Sequence, residues 1–365
     1  MNAPIRLMLT GGGTGGHLFP AIATAEALCE RLPGSEVLFV GTKRRMDKTS
    51  LEQYGFATRA IHSKGLKGKK LWSLIQGVLV LPVSCLEAMY HIIRFRPHLV
   101  IGVGGYVTGP VIAAAKLLGK PTVIHEQNSI PGLANRKLGA LAAKICLSLP
   151  GSEKWFPADK VVLTGNPVRN AILDLAEKET GKTKKKGETL TLLVLGGSLG
   201  AHRVNEIVCE AFGLGLPELQ SIKVIHQTGP ADAQKVETAY RESNIEATVA
   251  PFFTNMAQIY QDADLLVSRA GATTLAELAV LGKPAVLIPY PYAADNHQEK
   301  NAEYYVQGGG AVMYIEKELT GKILAKQLAQ LFLDGEQLQK MGAAMKSRAF
   351  PEAAERIVDV CLEMV

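Results

Sequence analysis

Two doubly wound α/β domains are what this sequence predicts, and three features carry that expectation. Near the start, an apolar run (Ile5 to Thr10), a glycine-rich loop (Gly11 to His17) and a helix with Ala and Leu at helical spacing follow one another. The same unit recurs past the middle, as Leu190 to Leu195, then Gly196 to Gly200, then a helix from Ala201. Short apolar runs alternating with helical patterns mark parallel strands buried on both faces. With 365 residues the chain is also long for a single core. Two domains facing one another across a cleft are the economical arrangement. The expected division is 1–164 and 165–348, followed by an amphipathic tail at 349–365.

Composition narrows the class. The net charge of +6 is mild and favours anionic partners without choosing among phosphates, acidic lipid and nucleic acid. Five scattered cysteines, with no metal-like or redox spacing, suggest a reduced cytosolic setting. The first ten residues lack signal-peptide architecture. The most apolar stretch, Leu71 to Ile93, is interrupted by Gln76, Pro82, Ser84 and Glu87, so it should not span a bilayer.

In the first half, the strand Ile5 to Thr10 runs into the loop and a helix beginning near Pro20; Val37 to Val40 is the second strand. Gly11, Gly13 and Gly16 satisfy the G-x-G-x-x-G dinucleotide spacing in its proper strand–helix setting. The usual ribose-binding acid after the second strand is absent, and Gly41 to Arg45 stands there; an NADP enzyme would use Arg44 and Arg45 instead. Lys64, Lys67, Lys69 and Lys70 then lead into a helix bearing Trp72, Ile75 and Leu79. Such a segment suits an anionic membrane surface, with lysines on headgroups and apolar residues dipping in. Taken alone it suits a core helix behind a solvated basic loop rather better, and a membrane-lipid acceptor would turn the balance to membrane contact by Lys67, Lys69, Lys70, Trp72, Ile75 and Leu79. The strand His98 to Gly102 precedes Gly104-Gly105-Tyr106, and Pro121 to Glu126 ends in His125, Glu126, Gln127 and Asn128. Those polar residues fall where a parallel strand delivers side chains to a crevice. Lys144 to Leu149 and Val161 to Leu163 complete this half.

The pattern changes at Thr164 to Arg169, and the hydrophilic run 178–188 reads as an exposed loop. Beyond the second glycine loop come strands at Ile222 to His226, Thr248 to Pro251, Asp264 to Ser268 and Pro284 to Pro289, with a helix opening near Asp295 to Ala302. Ser268 to Glu277 is the most informative stretch. Gly271 lets backbone approach a ligand, and the free N–H groups near Ala272 to Thr274 suit a phosphate. Glu277, a turn further in, is placed to accept from a ribose diol. Asp262-Ala-Asp264 has the spelling of a metal-binding Asp-x-Asp but sits at a helix-to-strand junction, so capping is the expected role and no protein-held metal is predicted.

Taken together, the motifs at 11–17, 104–109, 125–128, 164–169, 196–198 and 268–277 resemble, over essentially the whole chain, a peptidoglycan glycosyltransferase family. That family adds N-acetylglucosamine to undecaprenyl-pyrophosphoryl-N-acetylmuramoyl-pentapeptide. The resemblance implies the two-domain GT-B fold, the C-terminal helix crossing back to the first domain, UDP-N-acetylglucosamine as donor, no cofactor, and a lipid-linked acceptor at the cytoplasmic membrane face. It gives the donor to the second domain: Phe253 at the uracil, Glu277 at the ribose, Ser198, Arg169, Ala272 and Thr273 at the diphosphate, and His297 with Gln298 at the sugar. Many relatives carry Gln-Gln where this chain has His297 and Gln298. From the first domain it adds Asn128, Thr14, Gly15 and Gly16 on the donor side, and Gly12, Gly13, Gly104, Gly105, Tyr106 and His125 toward the acceptor pyrophosphate. Proteins of cell-wall synthesis and division are implied partners; nucleic acid is not.

The implied chemistry is displacement at the anomeric carbon with inversion, through a transition state of oxocarbenium character. Helix N-termini and Arg169 would stabilise the leaving diphosphate. His17, near a helix N-terminus that favours neutral imidazole, is the first candidate for the base, and Glu126 is its rival. His125 is read as orienting its neighbours. An NADP oxidoreductase, a noncatalytic nucleotide-binding protein, and a related transferase for another sugar or lipid are the competing readings.

Overall fold

The computed structural model describes residues 3–12, 15–42, 51, 54–63, 71–178, 189–197 and 199–365, with the side chains of 71–79 outside that description. The chain divides into two compact units, Met1–Arg169 with Phe350–Val365, and Asn170–Ala349.

The first unit is built on β1 (Arg6–Thr10), β2 (Glu36–Gly41), β3 (Ala57–Ala60), β4 (Leu99–Gly102), β5 (Thr122–Glu126), β6 (Lys144–Leu147) and β7 (Val161–Leu163). They form one parallel sheet in the order β3-β2-β1-β4-β5-β6-β7. Alternation along each strand splits the core in two. Leu7, Leu9, Leu99 and Ile101 face one layer, while Met8, Val100 and Ile124 face the other. On the first side lies α1 (Gly15–Arg31); on the second lie α2 (Leu71–Phe95) and α3 (Thr108–Leu117). A short α4 (Leu133–Leu138) follows β5.

Helix α1 starts earlier than its sequence suggests, and Pro20 lies inside it, unable to donate to the Gly16 carbonyl. β3 is an edge strand the sequence does not announce, because its residues are mostly exposed and carry no apolar alternation.

The second unit opens with α5 (Asn170–Lys178) and is built on β8 (Thr191–Leu195), β9 (Lys223–Gln227), β10 (Ala247–Ala250), β11 (Leu265–Ser268), β12 (Ala285–Leu287) and β13 (Ala311–Met313). This sheet is also parallel, in the order β10-β9-β8-β11-β12-β13. Its helices are α6 (His202–Gly213), α7 (Pro217–Gln220), α8 (Ala233–Glu242), α9 (Met256–Asp262), α10 (Ala272–Leu281), α11 (His297–Gln307), α12 (Gly321–Leu333) and α13 (Gly335–Lys346). Val204, Ile207 and Val208 of α6 and Leu324 and Leu328 of α12 pack on Leu192, Val194 and Val267 of the sheet.

The tail returns to the first unit as α14 (Ala353–Leu362), burying Ile357, Val358 and Val360 in the core shared with α1. Each such side chain contributes about 1.5–3 kcal/mol on burial, so the returning helix is firmly seated. No helix among the described residues is long and apolar enough to cross a membrane.

Candidate functional site

Each sheet reverses its strand order once, between β1 and β4 in the first unit and between β8 and β11 in the second. Loops leaving the carboxyl ends of those strands part to opposite faces, which opens a crevice for a ligand. In each unit glycine-containing loops follow both of those strands.

In the second unit, Gly271 caps α10 in an extended conformation, and no side chain caps the helix. The turn before it is held from α11. Gln298 accepts through Oε1 from the N–H groups of Ala270 (3.2 Å) and Tyr290 (2.9 Å), and Asn301 donates to the Ala270 carbonyl at 3.3 Å. Arg269 is structural: it donates to the carbonyls of Ile288 (3.0 Å) and Pro289 (3.1 Å) and pairs with Glu316. The loop after β8 is pressed against the turn after β9. A Cβ on Gly200, whose φ is +80°, would fall 2.1 Å from the Thr228 carbonyl, and one on Gly229 2.5 Å from that of Leu199.

Gln227 joins two of these loops, donating to the Gly197 carbonyl (3.2 Å) and accepting from the Phe253 N–H (3.0 Å). Behind them, Asn205 donates to the Thr228 carbonyl (2.9 Å) and to Asp232 (2.8 Å), while buried His226 touches both Asn205 and Tyr240. Burial drives His226 down to about 3. Glu277 is only 4% exposed and accepts from the Tyr260 hydroxyl at 2.9 Å. His297 donates through Nδ1 to the Ala294 carbonyl (2.8 Å), since a carbonyl can only accept, and this directs the lone pair of the neutral ring to Nε2.

In the first unit the glycines interlock. A Cβ on Gly105 would lie 2.8 Å from the Gly12 carbonyl, and one on Gly104 would lie 2.9 Å from Cε1 of His17. Both positions have positive φ, +105° at Gly104 and +84° at Gly105, so glycine is needed for backbone shape as well as space. Nδ1 of His17 is 3.0 Å from Oε1 of Gln127. Gly15 and Gly16 open α1 beside it.

Two of the residues expected at the site are deeply buried. Glu126 is 1% exposed, and its carboxylate accepts from Asn128 N (3.0 Å), Asn128 Nδ2 (3.1 Å), Gly132 N (3.1 Å) and Asn135 Nδ2 (2.8 Å). Four donors on one carboxylate tie the loop from 126 to 135 together. His125 is also 1% exposed, with both ring nitrogens engaged inside the unit. Burial drives it down to about 4.

Arg169 falls in the first unit, its guanidinium 4.7 Å above the Phe19 ring. Asn128 is fastened to Glu126, and the Tyr106 carbonyl accepts from Ser63 Oγ at 3.3 Å. Ala272 and Thr273 head α10. Asp264 accepts from Thr191 N at 2.7 Å, tying β11 to β8, and Asp262 accepts from Gln258 at 3.2 Å. Gly13, Thr14, Ser198, Lys67, Lys69 and Lys70 lie outside the described residues, as do the side chains of Trp72, Ile75 and Leu79. The described part of α2 exposes Val83, Leu86, Tyr90 and Ile93, spaced as one helix face. The sequence places Gln127 at the crevice without a role and does not single out Gln227, Asn205 or Tyr260, because a buried polar residue shows its purpose only through distant partners.

Residues 7–147 match the glycosyltransferase family 28 N-terminal domain and residues 191–357 its C-terminal domain. A Desulfotalea psychrophila protein named UDP-N-acetylglucosamine–N-acetylmuramyl-(pentapeptide) pyrophosphoryl-undecaprenol N-acetylglucosamine transferase is 56% identical, over 99% of this chain and 97% of its own length. A protein of the same name from Syntrophus aciditrophicus is 44% identical over 99% of each. Among solved structures, Acinetobacter baumannii MurG aligns with a TM-score of 0.78 at 29% identity, covering 99% of this chain and 100% of that one. These likenesses weigh against the oxidoreductase reading of the first glycine loop.

Proposed function

The chain belongs to glycosyltransferase family 28, and from that premise we propose the reaction its two half-sites serve. It transfers N-acetylglucosamine from UDP-N-acetylglucosamine to the 4-hydroxyl of the muramoyl sugar of the undecaprenyl-pyrophosphoryl-linked pentapeptide acceptor. The observation that carries this is the 56% identity, sustained over nearly the full length, to a transferase named for that reaction. It is a hexosyltransferase with the GT-B fold, and its product feeds cell-wall synthesis and so cell shape and division.

The second unit takes the donor. Phe253, held through its N–H by Gln227, meets the uracil; Glu277, steadied by Tyr260, accepts from the ribose hydroxyls. The head of α10 at Ala272 and Thr273 faces the diphosphate, with the helix dipole favouring its charge. Gln298 and His297 read the sugar; Gln298 has its oxygen on two backbone N–H groups, which leaves its Nε2 as the donor for a sugar hydroxyl. Ser198 and Arg169 complete the diphosphate contacts, and Asn128 with residues 14–16 serves the sugar side.

The first unit takes the acceptor, its pyrophosphate on the glycines at 12–13 and 104–105 with Tyr106. His17 Nε2 removes the proton from the 4-hydroxyl, the oxygen attacks the anomeric carbon from the face opposite the diphosphate, and UDP departs with the bonding electron pair. Inversion follows from that single in-line displacement. Glu126 takes no proton; it shapes the loop that carries Asn128.

The acceptor lipid places the protein peripherally at the cytoplasmic membrane face. The exposed apolar stripe Val83, Leu86, Tyr90 and Ile93, continuing the helix that begins behind the lysines at 67–70, supports that reading. The direct test offers UDP-N-acetylglucosamine or UDP-glucose with a short-chain muramoyl acceptor. Transfer from the first donor alone is expected. Preference for UDP-glucose, or for an acceptor lacking the muramoyl sugar, would point to a related transferase instead.

A further inference from the structure

Gln127 is one of the few buried polar side chains beside the acceptor loops to which no role has been given; it is 1% exposed, one residue past the strand end that carries Glu126. Its surroundings dictate which way its amide faces. One end lies 2.9 Å from the Val103 carbonyl, which can only accept, so that end is Nε2 and the other is Oε1. Oε1 therefore faces His17 Nδ1 at 3.0 Å, and an amide oxygen can only accept. The proton of neutral His17 must reside on Nδ1.

The second Nε2 proton lies along a 3.1 Å contact to Nδ1 of His125, so that nitrogen accepts and the His125 proton sits on Nε2. There it meets Ser148 Oγ at 2.9 Å and the Gly165 carbonyl at 3.4 Å. One assignment of protons satisfies every contact along this line. Because burial holds His125 down to about 4, it is neutral near pH 7 and the polarity of the line does not reverse.

We infer that Gln127 is a positioning residue for this reaction: its amide, oriented by the Val103 carbonyl and His125, locks His17 in the Nδ1–H tautomer and turns the Nε2 lone pair toward the acceptor hydroxyl. His17 Nε2 makes no hydrogen bond among the described residues, and Gly104 keeps the ring's edge clear, since any Cβ there would press on Cε1. The inference rests on His17 being the base, as proposed above. A base held in the wrong tautomer presents a proton where it needs a lone pair, a loss that substrate binding would not register.

The wild-type protein with 15N-labelled histidine provides the first test, because long-range 1H–15N spectra distinguish the tautomers at pH 7.5. His17 is expected as Nδ1–H, and an Nε2–H spectrum would overturn the inference without any variant. Gln127→Met, nearly isosteric but with no acceptor, should lose the Nδ1–H signature. Its kcat should fall about 10- to 100-fold, within the span general-base catalysis supplies, while KM for UDP-N-acetylglucosamine stays within about twofold. Gln127→Glu keeps an acceptor toward Nδ1 but gives up both Nε2 protons, so it should keep the Nδ1–H signature with kcat below wild type. A Gln127→Met protein with an unchanged tautomer and kcat would refute the role. His17→Ala with undiminished kcat would instead sink the base assignment and leave the tautomer result standing.

Discussion

Exchanging Glu277 for glutamine replaces one carboxylate oxygen by an amide group at a position that is almost fully buried. The Tyr260 hydroxyl, 2.9 Å from Oε2, keeps an acceptor in the variant, because the glutamine oxygen can turn toward it. What changes is the side offered to the nucleotide: an anion able to accept from a ribose hydroxyl becomes a neutral donor. A hydrogen bond to a charged group contributes about 1.5–3 kcal/mol, which corresponds to a rise of about 10- to 100-fold in Kd for UDP. Titration calorimetry with UDP measures this directly. Glu277→Ala serves as the contrast, since it removes the acceptor 2.9 Å from the buried Tyr260 hydroxyl and should cost about 1 kcal/mol of unfolding free energy for that lost hydrogen bond. Glu277→Gln should leave thermal stability near wild type. If Glu277→Gln bound UDP as tightly as the wild-type protein, the carboxylate would not be reading the ribose and the donor assignment would fail.

Other outcomes follow from the same geometry. Gly104→Ala combines a φ of +105° with a Cβ 2.9 Å from the His17 ring, so steady-state assays should show kcat falling about tenfold or more with UDP affinity unchanged. His125 and His226 have folded pKa values depressed to about 4 and about 3 from 6.5. The unfolded chain therefore binds more protons in the interval below 6.5, and stability falls as pH drops through it; each histidine should remove about 2 kcal/mol between pH 7.5 and 5. Urea unfolding at the two pH values checks this, and His226→Gln should flatten the second unit's dependence. Leu86→Gln with Ile93→Gln should weaken binding to anionic vesicles in a flotation assay while leaving UDP affinity alone; loss of both together would mean that the stripe holds up the fold.

The strands and glycine loops at both switch points were legible because their signals are local. Apolar runs such as Leu192 to Leu195 and the glycines that follow need no knowledge of the rest of the chain. β3 and β13 were not, since four mostly exposed residues, and three of which one is buried and two partly buried, carry no distinguishing alternation. The site divides along the same line. Gly104 and His17 stood out by pattern, whereas the fate of Glu126 depended on Gly132 and Asn135, six and nine residues away, and that of Gln127 on His17, 110 residues away. A buried carboxylate and a catalytic one look alike in sequence; only their partners separate them. Arg169 is a further case: its seat on Phe19 in the first unit is one that no spacing rule foretold.

The most direct test is the product itself. Incubation with UDP-N-acetylglucosamine and a short-chain muramoyl-pentapeptide pyrophosphoryl lipid, followed by NMR of the product, reports both linkage and anomeric configuration. A β-linked N-acetylglucosamine on the muramoyl 4-hydroxyl, formed in step with UDP, is the result this account predicts. UDP release with no disaccharide, or an α-linked product, would contradict it.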